Sequence, residues 1–184
     1  MLELHHHPLT PATMVRSLVS SVMRTEEGLV FSYHLSGDMA RLLVPKAQPS
    51  ERCDRLWEHT CFEAFLGSAG CTGYREFNFS PSGQWACYDF SGYRQPLRSD
   101  LHTAAPQITA QITDGHLKLQ AVIGNDALPQ GAASKPLRIG LAAVVETRDT
   151  VEDNRSYWAL HHPTDRPDFH HPDSFVFELS PQKY

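Results

Sequence analysis

Three segments carry side chains whose chemistry a plain scaffold does not require. The first is Leu56-Trp57-Glu58-His59-Thr60-Cys61-Phe62-Glu63-Ala64-Phe65-Leu66. Read from Thr60 as an extended strand, it places Thr60, Phe62, Ala64 and Leu66 on one face and Cys61, Glu63 and Phe65 on the other. A carboxylate between Cys61 and Phe65 needs a cationic partner such as Arg75 or Arg94, or a wet cleft, because burying it unpaired costs several kcal/mol, on the order of 3–5. The second is Tyr74-Arg75-Glu76-Phe77-Asn78-Phe79-Ser80-Pro81, where alternation groups Tyr74, Glu76, Asn78 and Ser80 opposite Phe77 and Phe79. Such a row suits hydroxyl groups of a ligand, and it equally suits a solvated strand face. The third runs from Asn154 to Asp173 and holds Trp158, the paired histidines His161-His162 and His170-His171, and Asp165, Asp168 and Asp173. It reads either as a binding rim stiffened by prolines or as a metal site drawing on His161 or His162 with Asp168, His170 or His171. Adjacent histidines on an extended chain point apart, which disfavours the metal reading.

The elements that must position these groups follow from a period-two pattern. In Leu29-Val30-Phe31-Ser32-Tyr33-His34-Leu35 the apolar residues Leu29, Phe31, Tyr33 and Leu35 alternate with Ser32 and His34. His116 to Ile123 repeats the pattern, and the preceding Ile108 to Ile112 run predicts a hairpin on Asp114-Gly115. Tyr74–Ser80 and Gln84–Phe90 pair as a second hairpin about Pro81-Ser82-Gly83. Leu137–Val145 is a continuously apolar, central strand, and Phe175–Leu179 is the last one. Met14–Arg24 is the first strand, although Val15, Leu18, Val19 and Val22 also fit a helix. Asn125–Lys135 and Pro163–Asp173 read as surface loops. Turn residues every 8–15 positions give the cadence of a two-sheet antiparallel β-sandwich. One all-β domain over residues 14–184 is expected, after a disordered lead-in over 1–13 that includes His5-His6-His7.

Bulk properties narrow the function classes. The 184 residues suit one domain with its own core. A net charge of −5, with the 16 Lys and Arg scattered, argues against nucleic-acid and membrane-surface partners. No run approaches the roughly 20 apolar residues of a membrane span, and the N-terminus has neither the basic start nor the apolar run of a secretory signal. Cys53, Cys61, Cys71 and Cys87 form no C-x-x-C pair, so reduced thiols and a cytoplasmic location are expected.

Taken together, Trp57…Thr60-Cys61-Phe62-Glu63-Ala64-Phe65, Tyr74-Arg75-Glu76-Phe77-Asn78-Phe79-Ser80-Pro81-Ser82-Gly83-Gln84-Trp85 and Tyr157-Trp158-Ala159-Leu160 resemble the DOMON-like superfamily. More narrowly, the chain resembles bacterial proteins grouped with family-nine carbohydrate-binding modules, and Glu76 to Trp85 is the specific part of the likeness. The resemblance implies a β-sandwich with jelly-roll or immunoglobulin-like strand order. It also implies that Trp57 and Trp158 clamp a sugar ring while nearby Glu, Asn and Arg side chains bind its hydroxyls.

The expectation is therefore a non-catalytic domain that binds a saccharide-like small molecule through Trp57, Glu63, Glu76, Asn78, Arg94, Trp158 and His161, with no cofactor. Two alternatives stand beside it. One is a metal- or haem-binding module on the 161–173 loop, with His162, Asp168 and His170 as metal ligands. The other is a sugar-active enzyme that uses Glu63 and Glu76 as its acid–base pair.

Overall fold

The computed structural model describes residues 1–10, 13–97, 103–148 and 154–181. Its strands are β1 (Leu2–His6), β2 (Val15–Arg24), β3 (Gly28–Gly37), β4 (Cys61–Ser68), β5 (Tyr74–Phe79), β6 (Trp85–Gly92), β7 (Gln95–Pro96), β8 (Gln107–Thr113), β9 (His116–Gly124), β10 (Leu137–Glu146), β11 (Arg155–Ala159) and β12 (Phe177–Leu179). Every strand pairing is antiparallel, along the order β7-β6-β5-β4-β10-β11-β1-β2-β3-β9-β8, with β12 added on β10. The fold is all-β, as the alternating pattern predicts, and its only helical elements among the described residues are three-residue 3-10 turns.

The path folds into two layers because β1 belongs to both. Leu2–Leu4 pair with β2, whereas His5 and His6 pair with Ala159 and Trp158 of β11. The N-terminal stretch is therefore not a disordered lead-in over its described length. Leu4 is buried in the core, and without β1 the facing edges of β2 and β11 would leave backbone donors and acceptors unpaired. The helical option for residues 15–24 is not taken either. Nine residue pairs connect β2 to β3, with a bulge between Val15 and Ser17, so cross-strand pairing decides what the ambiguous periodicity left open.

The layers are joined by alternate side chains. Leu29, Phe31, Tyr33 and Leu35 of β3 are fully buried. Phe31 meets Phe79 with ring centroids 5.7 Å apart, and Tyr33 meets Phe62 at 4.9 Å. The Tyr33 hydroxyl donates 2.8 Å to the backbone carbonyl of Glu63, which gives a buried phenol its partner and ties one layer to the other. Leu117, Leu119, Ala121 and Ile123 of β9 complete the interior beside Leu137, Ile139, Leu141, Ala143 and Val145 of β10. Each such Leu, Ile or Phe contributes about 1.5–3 kcal/mol by leaving water. The predicted hairpin is present with Thr113 opposite His116, and Gly115 supplies the left-handed conformation at φ 83°.

The second layer is buried on its outer side as well. All eight residues of β4 are buried, and Phe65, Tyr74, Ala142, Ala159 and Phe175 form a separate outer cluster with Phe90 and Phe169 packed on it. The cover comes from the segment expected to be a surface loop. Residues 163–175 fold back over the sheet, and Phe175 seats on Gly140, where a Cβ would lie 3.0 Å from its ring. Phe175 is thus part of this cover, and the terminal strand begins only at Phe177.

Candidate functional site

Alternation along β4 and β5 decides which groups reach the outer face of the second layer. Phe62, Ala64 and Leu66 turn inward, as do Phe77 and Phe79, so Glu63 and Glu76 point the other way. In register, Glu63 lies opposite Asn78 and Glu76 lies opposite Phe65, which makes the two glutamates diagonal neighbours on adjacent strands. They border a cavity of about 430 Å³ on the outer face of the sheet. Val144 of β10 and Tyr157 of β11 extend its floor, and Tyr88, Phe90 and Pro96 close one side. Trp57, Arg94, Pro167, Phe169 and His170 overhang it from three connecting segments.

Each overhanging side chain has a local cause. Trp57 sits in the 3-10 turn Leu56–Glu58, which opens on Arg55 at φ 64°. Leu56 is buried there while Trp57 stays 40% exposed, its ring edge-on to Tyr88 at 6.1 Å. Arg94 occupies the tight turn between β6 and β7 at φ 52°, a conformation sparsely used outside glycine. Its backbone N–H donates to the Tyr74 hydroxyl at 3.3 Å, and its guanidinium Nη2 donates 2.8 Å to Asp168 Oδ1. The Tyr93 hydroxyl donates to the other Asp168 oxygen, and the His170 N–H donates back to Oδ1 at 3.1 Å. Asp168 is thereby the knot that fixes the 167–170 segment against the β6–β7 turn. Burial opposes its charge, but the Tyr93 hydroxyl and Arg94 hold its carboxyl below the ordinary range.

Neither glutamate has a hydrogen-bonded Lys or Arg of this kind among the described residues. Glu63 is 3% exposed, and its Oε1 has no hydrogen-bond partner. Burial, and then the neighbouring Glu76 carboxylate, push its pKa well above the ordinary 4.5. Glu76 accepts a 2.6 Å hydrogen bond from Asn78 Nδ2, and that bond and Arg94 favour its ionised form, yet burial dominates and raises its pKa to about 7. His170 Nε2 stands 3.7 Å from Glu76 Oε2, while its Nδ1 lies 2.8 Å from the Tyr74 hydroxyl. Burial and the nearby Arg94 charge lower the His170 pKa to about 4, so the imidazole is neutral at physiological pH. The result is a half-enclosed cleft with aromatic walls, two carboxyl groups prone to hold protons, and a neutral imidazole.

Of the residues singled out from the sequence, Trp57, Glu63, Glu76 and Arg94 meet in this cleft. Asn78 does not border it; fully buried two residues on along the same face of β5, it positions Glu76 through its Nδ2. Trp158 is not there. It faces the interior at 4% exposure, with its indole Nε1 donating 2.9 Å to Ser156 Oγ and its ring edge-on to His6 at 5.4 Å. A clamp between Trp57 and Trp158 is therefore not formed; the adjacent Tyr157, of opposite strand parity, reaches the cleft instead. His161 lies in a different depression, lined by His5, His6 and His7. His162 lines the same depression, its Nε2 2.8 Å from the His5 carbonyl. His170 borders the cleft and Asp168 braces its rim through Arg94 and Tyr93, so the histidines and aspartates of the 161–173 loop diverge to two places, and no group of three metal-ligating side chains converges among the described residues. Arg75, a possible counterion for Glu63, is engaged elsewhere. It turns to the interior side, where Nε and Nη2 donate to Asp89 at 2.6 and 3.1 Å and Nη1 donates to the Ala127 carbonyl at 2.8 Å.

Sequence reasoning missed Tyr88, Phe90, Tyr157, Phe169 and, as a cleft residue, His170. For Tyr88 and Phe90 the signal was present, since alternation from Cys87 places both on one face of β6. For Phe169 and His170 no periodic signal exists, because they reach the cleft from irregular chain.

No family model and no curated protein matches the chain. Among solved structures, a protein from Bacteroides uniformis for which carbohydrate binding is proposed matches with a TM-score of 0.67. The match covers 98% of this chain and 87% of the other, at 14% identity, a level at which the likeness concerns the fold. No helix among the described residues is long and apolar enough to cross a membrane.

Proposed function

We propose that the outer-face cleft binds a small polyhydroxylated ligand, a saccharide in the first instance, without transforming it. The observation that carries this reading is the Glu63 carboxyl: nearly buried, lacking a partner for Oε1, and bordering a cavity walled by aromatic rings. A buried polar atom without a partner is costly in a resting protein, and a ligand hydroxyl supplies what is missing. The apolar C–H faces of a sugar pack on Trp57, Tyr88 and Phe169, while Glu63, Glu76, Arg94 and His170 meet its hydroxyls. The cavity falls within the roughly 300–1,000 Å³ of small-molecule sites. The resemblance to family-nine carbohydrate-binding modules and the fold shared with the Bacteroides uniformis protein support the same ligand class.

Isothermal titration of the wild type with a panel of mono- and disaccharides tests the reading. Binding is expected at millimolar concentrations or below, and Trp57→Ala is expected to weaken it at least about tenfold while leaving the circular dichroism spectrum unchanged. Absence of heat from every sugar at millimolar concentration overturns it.

A sugar-active enzyme is the second reading, favoured by the diagonal placement of Glu63 and Glu76. Such neighbours lie about 7–8 Å apart at the backbone, so two Glu side chains on one face can bring their carboxyl groups to the separations of roughly 5–10 Å used for glycoside hydrolysis. Release of reducing sugar from aryl glycosides, abolished by Glu63→Gln, would move the protein to that class.

A further inference from the structure

Resting on the saccharide reading above, we infer that the ligand carries a protonated amino group, seated between Glu63 and Glu76, so that the preferred class is an amino sugar. Two carboxyl groups occupy one face at diagonal positions, and neither forms a hydrogen-bonded ion pair with a Lys or Arg among the described residues; Arg94 acts on Glu76 only through space. Arg75 is committed to Asp89 and Arg94 to Asp168. Arg52, which stacks over Tyr88 at 5.4 Å, makes its ion pair with Asp54. The titratable and charged groups around the glutamates are few. Cys61 precedes Glu63 on the same face of β4, and the Tyr33 hydroxyl is held by the Glu63 backbone carbonyl. Tyr88 and Tyr157 border the cleft from β6 and β11, and His170 and Arg94 overhang it. Of these, Arg94 carries a positive charge and already answers Asp168.

A neutral hydroxyl offers one proton to this pair, whereas an ammonium offers three and brings the charge that two neighbouring carboxylates lack. Aromatic rings on the cleft wall add cation–π attraction, strongest with an indole such as Trp57. The cleft meets the missing charge by favouring protonated carboxyls: burial raises Glu76 to about 7, and burial, then the Glu76 carboxylate, raises Glu63 well above the ordinary range. An entering ammonium favours the ionised forms, so the protons must leave. Binding of an amino sugar is thereby coupled to proton release, and binding of its neutral parent is not.

The test uses the full chain and three 2-amino hexoses (glucosamine, galactosamine, mannosamine), each beside its parent hexose, by calorimetry at pH 6.5 in two buffers of different ionisation enthalpy. At least one amino sugar is expected to bind ten times or more tighter than its parent. Its heat should differ between buffers by the amount for release of up to two protons per cleft. In Glu63→Gln that advantage should fall at least tenfold, with Glu76→Gln as the parallel variant should the first not fold. Parent hexoses binding as well as amino hexoses, or amino sugars binding with no buffer dependence, overturn the inference and leave the saccharide reading standing. Silence from all six sugars, with Trp57→Ala equally silent, overturns both. An amino-sugar preference that survives in both glutamine variants overturns the placement between the two carboxyls.

Discussion

Replacing Glu76 by glutamine should make the protein more stable than the wild type at alkaline pH and nearly indifferent to the change at acidic pH. Glu76 is 5% exposed and titrates near 7, against 4.5 for an ordinary glutamate. A carboxyl whose folded pKa is raised favours the folded state fully below the unfolded value, and loses that contribution as pH climbs through the folded value. The window is therefore pH 4.5 to 7. At about 1.4 kcal/mol per pH unit the interval amounts to about 3 kcal/mol, or roughly 10 °C in melting temperature for a chain of this length. His170 acts in the opposite sense. Burial and then Arg94 lower its pKa to about 4 from 6.5, so the unfolded chain binds the proton more readily, and stability is gained as pH rises between those values. In the wild type the two slopes largely cancel between pH 4.5 and 6.5, and a single profile would hide both. The difference between wild type and Glu76→Gln isolates the glutamate, because the imidazole titrates in each. The amide keeps an oxygen for the Asn78 donor, and loss of the Glu76 charge also relieves Glu63, in the same direction. Urea denaturation at half-unit steps from pH 4.5 to 8.5 should give curves that meet at the acidic end and diverge by about 3 kcal/mol at the alkaline end. Parallel curves across the range would refute the reasoning, since they would mean that Glu76 ionises as freely folded as unfolded.

Other perturbations report on single contacts. Trp158→Ala should cost about 3–5 kcal/mol by emptying a core position, measurable by urea denaturation, and should weaken ligand binding far less than Trp57→Ala does. Tyr33→Phe removes the hydroxyl that bridges the layers to the Glu63 carbonyl and should lower stability by about 1 kcal/mol, with the ring packing on Phe62 kept. Deleting residues 1–6 strips β1 from between β2 and β11 and exposes the site of Leu4. A loss of at least about 2 kcal/mol is expected, together with concentration-dependent association through the bared edges, detectable by light scattering.

The alternation that identified the strands also identified the carboxylates. Glu63 stood out because it interrupts an apolar run, and Glu76 because it falls in a polar row opposite Phe77 and Phe79, each at a position of definite parity, and the structure delivers both to the same face. The N-terminus failed for want of length. Leu2 and Leu4 are two apolar positions among polar neighbours, too few to announce a strand, and β1 forms because two existing edges template it from either side. Arg94 was legible as a nearby cation but not as a partner of Asp168, seventy-four residues away, because nothing local encodes that encounter.

The misplacement of Trp158 has a more general cause. Tyr157 and Trp158 are both large, aromatic and amphipathic, and strand alternation sends one to each side of β11. In a sheet with one wet face, the more polar of the two would go outward and the sequence would decide. Here the second layer is covered twice, by the opposite layer within and by residues 163–175 without, so both sides reward an aromatic ring and composition is silent. What does decide is satisfaction of the polar atom. The indole N–H finds Ser156 Oγ on the inner side, two residues away on the same face, so the larger ring can be buried with its donor paired. Tyr157 then goes to the cleft side and contributes a ring to its floor. The same double cover is what gives the cleft its chemistry. On an open sheet Glu63 and Glu76 would be solvated, ordinary carboxylates. Beneath a cover tied down by Asp168, Arg94 and Tyr93, burial raises the pKa of both well above that of an ordinary glutamate.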